Sequence, residues 1–174
     1  MRYNWKILYA PVKWLGSLIF VILIPIAMYI PTCYDFINVS VIYMPFIGIV
    51  LFTDFCLLDK KSNAEEIVFL SNRKPVLSFI QRYLISIAIL LVYVILANVV
   101  YRMLQQFQDE VMVEPISMLE YILIVVGGCL YIGAISMTIS SILSNVYIGY
   151  AFSISFWLYW KYDLFWLLNG IEIK

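Results

Sequence analysis

The side chains that could do chemistry are concentrated in one stretch, Asp54 to Leu84, which reads DFCLLDKKSNAEEIVFLSNRKPVLSFIQRYL. Within it Ser62 and Glu65 have the spacing of a reciprocal capping box, in which a hydroxyl and a carboxylate each accept from backbone N–H groups at a helix start. Glu65 and Glu66 fall in the first turn, where the helix dipole favours negative charge. Ile67, Phe69 and Leu70 supply apolar surface, and Arg73, Lys74 and Pro75 end the element. The spacing predicts a short amphipathic helix over about 62–72, with a few apolar anchors inside a charged rim, which suits docking on a protein partner. A helix lying among lipid headgroups is the other reading of the same pattern.

Elsewhere the chain has little to catalyse with. There is no histidine, which removes most triad, acid–base and imidazole–metal schemes. Neither a pair of intramembrane aspartates in a glycine-rich context nor a glycine–lysine phosphate loop is present, so any ATP must be bound by another chain. No catalytic residue, cofactor, metal site or nucleic-acid surface is expected. Cys33, Cys56 and Cys129 cannot build a disulfide framework and read as reduced packing residues. Asp54 lies about one turn inside the cytoplasmic end of an apolar run, where an ionisable group is a functional candidate by default. Its expected resolution is a short snorkel to the interface or a pairing with Arg82.

These residues hang on an unusually apolar frame. Of 174 residues, 64% are hydrophobic and 13% charged, outside the range of soluble domains and in that of an integral membrane protein. Since a spanning helix needs roughly 20 apolar residues, five runs qualify: about 14–30, 37–58, 76–100, 121–143 and 146–160. Such uninterrupted runs are helical, because a membrane β-barrel alternates in segments of about ten residues. The expectation is an all-α polytopic bundle in a single domain, 1–174, with a sizeable outer loop at 102–120. The basic start is not followed by a cleavage site, so the first run is read as a span and not a signal peptide.

Net charge is zero, but its distribution orients the bundle. With the N-terminus in the cytoplasm, Arg2, Lys6, Lys13, Lys60, Lys61, Arg73, Lys74 and Arg82 face inward, leaving only Arg102, Lys161 and Lys174 toward the outside. In the fourth run Gly128, Gly133, Ser136, Ser140 and Ser144 place small residues where another helix can approach closely and serine hydroxyls can bond across. Hydroxyls lining a pathway are the alternative. The fifth run and its tail are dense in aromatics, so its helix is expected to surface near Trp160, with Asp163 to Leu168 as a separate interfacial stretch.

Two spans, an acidic amphipathic helix, then DKKSNAEEIVFLSNRKP leading into a third span resembles the membrane subunits of type-2 ABC exporters, whose corresponding loop runs Ser-Gly-Thr-x-Glu-x-Leu and then Pro-x-Ser-Arg. Asp59, Ser62, Glu65, Glu66, Ile67, Leu70, Ser71 and Arg73 occupy comparable positions, with Asn63-Ala64 in place of Gly-Thr. The resemblance implies that 62–72 is a coupling helix. Ser62, Glu65, Glu66, Ile67, Phe69, Leu70 and Arg73 would dock on a cytoplasmic ATPase subunit, and a second permease chain would complete the pathway. It also implies a sixth span, for which only five runs are found. The implied activity is export of an amphipathic or hydrophobic cargo, such as an antimicrobial peptide, a drug or a lipid, across a bacterial cell membrane. A non-transporting immunity or assembly protein that binds a partner in the bilayer is the competing class.

The topology is testable with reporter fusions. Fusions after Lys61 and Ser144 should give cytoplasmic GFP fluorescence, and fusions after Glu110 and Lys174 should give alkaline phosphatase activity outside. A fluorescent Lys174 fusion would overturn the five-span reading.

Overall fold

The apolar runs fold as helices, and Pro45 breaks one of them, while Pro25 is carried inside the first. The computed structural model describes residues 11–27, 33–55, 57, 75–107 and 117–171. Six helices follow in order: α1 (Pro11–Ala27), α2 (Cys33–Tyr43), α3 (Pro45–Phe52), α4 (Pro75–Phe107), α5 (Met118–Leu143) and α6 (Val146–Ile171). No strand occurs among the described residues. Among the described residues three stretches are long and apolar enough to cross a membrane: Cys33–Phe52 through α2 and α3, Phe79–Leu104 in α4, and Met118–Leu143 in α5. Val12–Ala27 is a shorter apolar helix.

The run expected at 37–58 is two helices and not one. Pro45 has no N–H, and its ring displaces the carbonyl a turn earlier, so the ladder breaks at Met44. Up to the break the Met44 N–H donates to Ser40 O in ordinary α-helical fashion, and just past it the Ile47 N–H donates to Met44 O in a tighter turn, leaving carbonyls between them free. The Trp157 indole N–H of α6 donates to one of them, Ile42 O, at 2.8 Å. The break in the second run thereby keys α6 into it.

Other boundaries also move. At 33 residues α4 is about 50 Å long, more than a bilayer core requires, and takes in the start of the segment expected as an outer loop. At the far side of that segment the Ser117 N–H donates to Glu120 Oε2 at 3.3 Å, capping α5. Ser144, at φ 50°, ends α5 in the left-handed region, and Asn145 Oδ1 accepts from the Tyr147 N–H at 2.9 Å to start α6. The stretch Asp163 to Leu168, expected to be separate from the last helix, belongs to it, and α6 runs unbroken to Ile171. Between Trp160 and Gly170 no proline or glycine interrupts it, and Lys161 Nζ sits 4.6 Å from the centre of the Tyr43 ring, where the π face partly replaces water around the ammonium.

Helix α3 lies against α1, α4, α5 and α6, and its closest packing is on α5. Glycines set that approach. A methyl on Gly48 would overlap the Cys129 carbonyl oxygen, and one on Gly133 would lie 2.6 Å from the Phe52 ring. Away from the seam, Phe36 stacks on Tyr101 with ring centres 4.0 Å apart and on Tyr121 at 5.1 Å, closing the end of the bundle opposite Asp54.

Gly48→Ala should therefore destabilise the protein by about 2–3 kcal/mol, because the obstacle is backbone and cannot rotate aside. Gly16→Ala, where an added methyl meets nothing within 4 Å, should be neutral. Thermal unfolding in detergent reads both, and equal midpoints for the two variants would refute the tight α3–α5 seam.

Candidate functional site

The end of α3 frees its last carbonyls inside the bundle, and the surrounding helices supply the donors. Such groups have no intrahelical partner and need one where water is scarce. Ile49 O accepts from the Thr53 N–H at 3.1 Å and from the Thr53 hydroxyl at 2.6 Å. Val50 O accepts from the Tyr150 hydroxyl of α6 at 3.3 Å. Thr53 O accepts from the Ser140 hydroxyl of α5 at 2.7 Å, a proton that Ser140 shares with Met137 O at 3.0 Å. With the Thr53 proton committed to Ile49, Ser136 donates to Thr53 Oγ1. Thr53, Ser136 and Ser140 have no solvent exposure. Gly149 lets α6 come close at the same level, since a methyl there would lie 2.6 Å from Ser140 Cβ.

One residue further on, Asp54 forms an ion pair with Lys13 of α1. Lys13 Nζ also donates to the Tyr150 hydroxyl at 3.0 Å and lies 5.5 Å from the centre of that ring. Tyr150 thus accepts from α1 while donating to α3. A cation at this position also faces the negative end of the α3 dipole. Asp54 Oδ1 is buried without a hydrogen bond, so the carboxylate depends on Lys13 for compensation. The expected pairing of Asp54 with Arg82 is corrected: its partner is Lys13, while Arg82 is buried on α4. Hydropathy places residues by depth and says nothing about which helices are neighbours, so a cation near the N-terminus was invisible as a partner.

The residues expected to form a packing face are distributed as follows. Gly128 lies 3.6 Å, by its added methyl, from the Pro45 ring; Gly133 faces Phe52; Ser136 and Ser140 meet Thr53. Ser144 stands apart, exposed in the turn before α6. Ser62, Glu65, Glu66, Ile67, Phe69, Leu70 and Arg73 lie outside the described residues, as does Cys56. Sequence reasoning missed Thr53, Lys13, Tyr150 and Trp157. For Thr53 a signal existed: a hydroxyl just ahead of Asp54, at the end of a proline-started helix.

The arrangement is a polar knot at one end of the bundle, tying α1, α3, α5 and α6 together. Its hydroxyls are committed to structural bonds, and no group of three histidine, cysteine or carboxylate side chains gathers among the described residues. What it can do is transmit displacement, since a pull on the chain after Asp54 is borne by three other helices.

Lys13→Met should leave Asp54 uncompensated and lower stability by roughly 3 kcal/mol, while Lys13→Met/Asp54→Leu should recover most of the loss because neither charge is then stranded. Detergent unfolding of both singles and the double gives the coupling. Strict additivity would show that the pair does not stabilise the knot. No family model matches the chain, and no curated protein or solved structure is similar to it.

Proposed function

We propose that the chain is a permease subunit of an ATP-driven exporter, crossing the cell membrane five times with its N-terminus in the cytoplasm. The spans are α1, α2 with α3, α4, α5 and α6. The observation that carries the reading is the polar knot at the end of the second span, Thr53 and Asp54 held by Lys13, Ser136, Ser140 and Tyr150. The charged segment with the resemblance to a coupling helix follows that knot directly in the sequence.

On this reading Ser62, Glu65, Glu66, Ile67, Phe69, Leu70 and Arg73 seat in a cytoplasmic ABC ATPase subunit. Closure of the ATPase would load the end of α3. The knot would pass that load to α1, α5 and α6 together, turning a local push into a bundle-wide rearrangement of the kind gated pathways need. A second permease chain would complete the pathway. On this reading a pathway of tyrosine, phenylalanine, methionine and serine would suit an amphipathic or hydrophobic cargo, such as a peptide or lipid, better than a small ion.

Purification of the full chain in mild detergent from its native host, in parallel with Glu65→Ala/Glu66→Ala, tests the proposal. An ATPase subunit should accompany the wild type and be lost, about tenfold or more, with the variant. Absence of any ATPase from the wild type would remove the exporter reading and leave a non-transporting immunity or assembly protein that binds its partner within the bilayer.

A further inference from the structure

A groove of about 260 Å³ opens on the side of the bundle between α1 and α3. Its walls are apolar, it extends from Lys13 to the Phe20–Phe46 ring contact, and it is about 10 Å long by the rise of α1. Gly16 forms part of its floor, with open space where a side chain would stand. Among the described residues Lys13 is its single charged lining residue, at one end.

Two observations say what fills it. First, the Lys13 ammonium has three N–H donors and gives two of them to Asp54 and Tyr150, and its side chain remains 31% exposed. The third N–H has no partner among the described residues and is available to a ligand. Second, the neighbouring aromatics place Lys13 at headgroup depth: Trp14 is 47% exposed on the next residue of α1, and Tyr147, in the first turn of α6, is 78% exposed. A narrow apolar slot in the bundle's flank with a cationic donor at headgroup level is complementary to a hydrocarbon chain carrying an oxyanion, the pattern by which basic pockets between membrane helices hold lipid headgroups.

We propose that this groove is a binding site for a phospholipid of the surrounding leaflet, with one acyl chain between α1 and α3 and its phosphate on Lys13. The bound phosphate would then sit beside the Lys13–Asp54 pair, making the knot sensitive to lipid occupancy. The inference needs a membrane around the bundle and is independent of transport or of an ATPase.

The test uses the full chain, purified and delipidated in detergent, then titrated with phosphatidylglycerol, phosphatidylcholine or diacylglycerol of matched chains and observed by native mass spectrometry. Wild type should retain one molecule of either phospholipid, with diacylglycerol held about tenfold more weakly for want of the phosphate contact. Gly16→Phe, which fills the groove and leaves the ion pair in place, should lose that tightly held molecule. Lys13→Gln/Asp54→Asn, which removes both charges together, should bind all three lipids alike. Diacylglycerol held as tightly as the phospholipids by wild type would overturn the proposal without recourse to any variant. So would a hydrophobic peptide found as the adduct before delipidation, or unchanged phospholipid retention in a folded Gly16→Phe protein.

Discussion

A backbone carbonyl that loses its helical partner inside an apolar bundle has to find another donor, and the second run loses partners twice. The break at Pro45 frees Ile42 O, which the Trp157 indole meets. The end of α3 frees Val50 O and Thr53 O, which Tyr150 and Ser140 meet. An unsatisfied group in such a setting costs up to several kcal/mol, so these side-chain donors are conditions for the broken run to exist. Two of the donors come from α6 and one from α5. The breaks in one element therefore fix which faces of the last two helices meet it.

Close packing and polar satisfaction reinforce each other along the same line. Without a strong hydrophobic drive between helices in lipid, association rests on contact and on hydrogen bonds, and both require backbones to come near. Gly48 and Gly133 bring α3 and α5 together, and Gly149 brings α6 against Ser140. Only at those separations can Ser136 reach Thr53 Oγ1 and Ser140 reach Thr53 O. The ion pair lies just beyond, where α1 closes the end of the bundle with Lys13. A carboxylate there without a cation would be expensive, and an α1 without an anion to meet would have one contact fewer to hold it.

Much of the architecture was legible as lengths. Apolar runs announce helices because a helix is the one way a single segment satisfies its own backbone away from water, and the starts and ends at Ser117 and Ser144–Asn145 follow ordinary capping chemistry. The seam residues Gly133, Ser136 and Ser140 were readable as a face from their spacing, which places them on one side of α5. Their counterpart was not. Thr53 is one hydroxyl in an apolar run, and nothing local shows that its carbonyl will be presented to a serine 87 residues away. The continuity of α6 past Trp160 was hidden for a related reason: Lys161 and Asp163 read as a break when taken alone, whereas Tyr43, far away in the chain, offers the ammonium a ring face.

The residues by themselves determined that this chain is helical and apolar enough to cross a membrane, that its charge lies mostly in the segments between apolar runs, and that it carries no histidine chemistry. Composition and periodicity suffice for this because they report the solvent each segment prefers. Which carbonyl meets Trp157, which cation meets Asp54 and where a groove opens were decided by the tertiary structure alone. Those are properties of pairs of helices, and the distance between two helix faces is set by side chains far apart in the chain that no local pattern relates to one another.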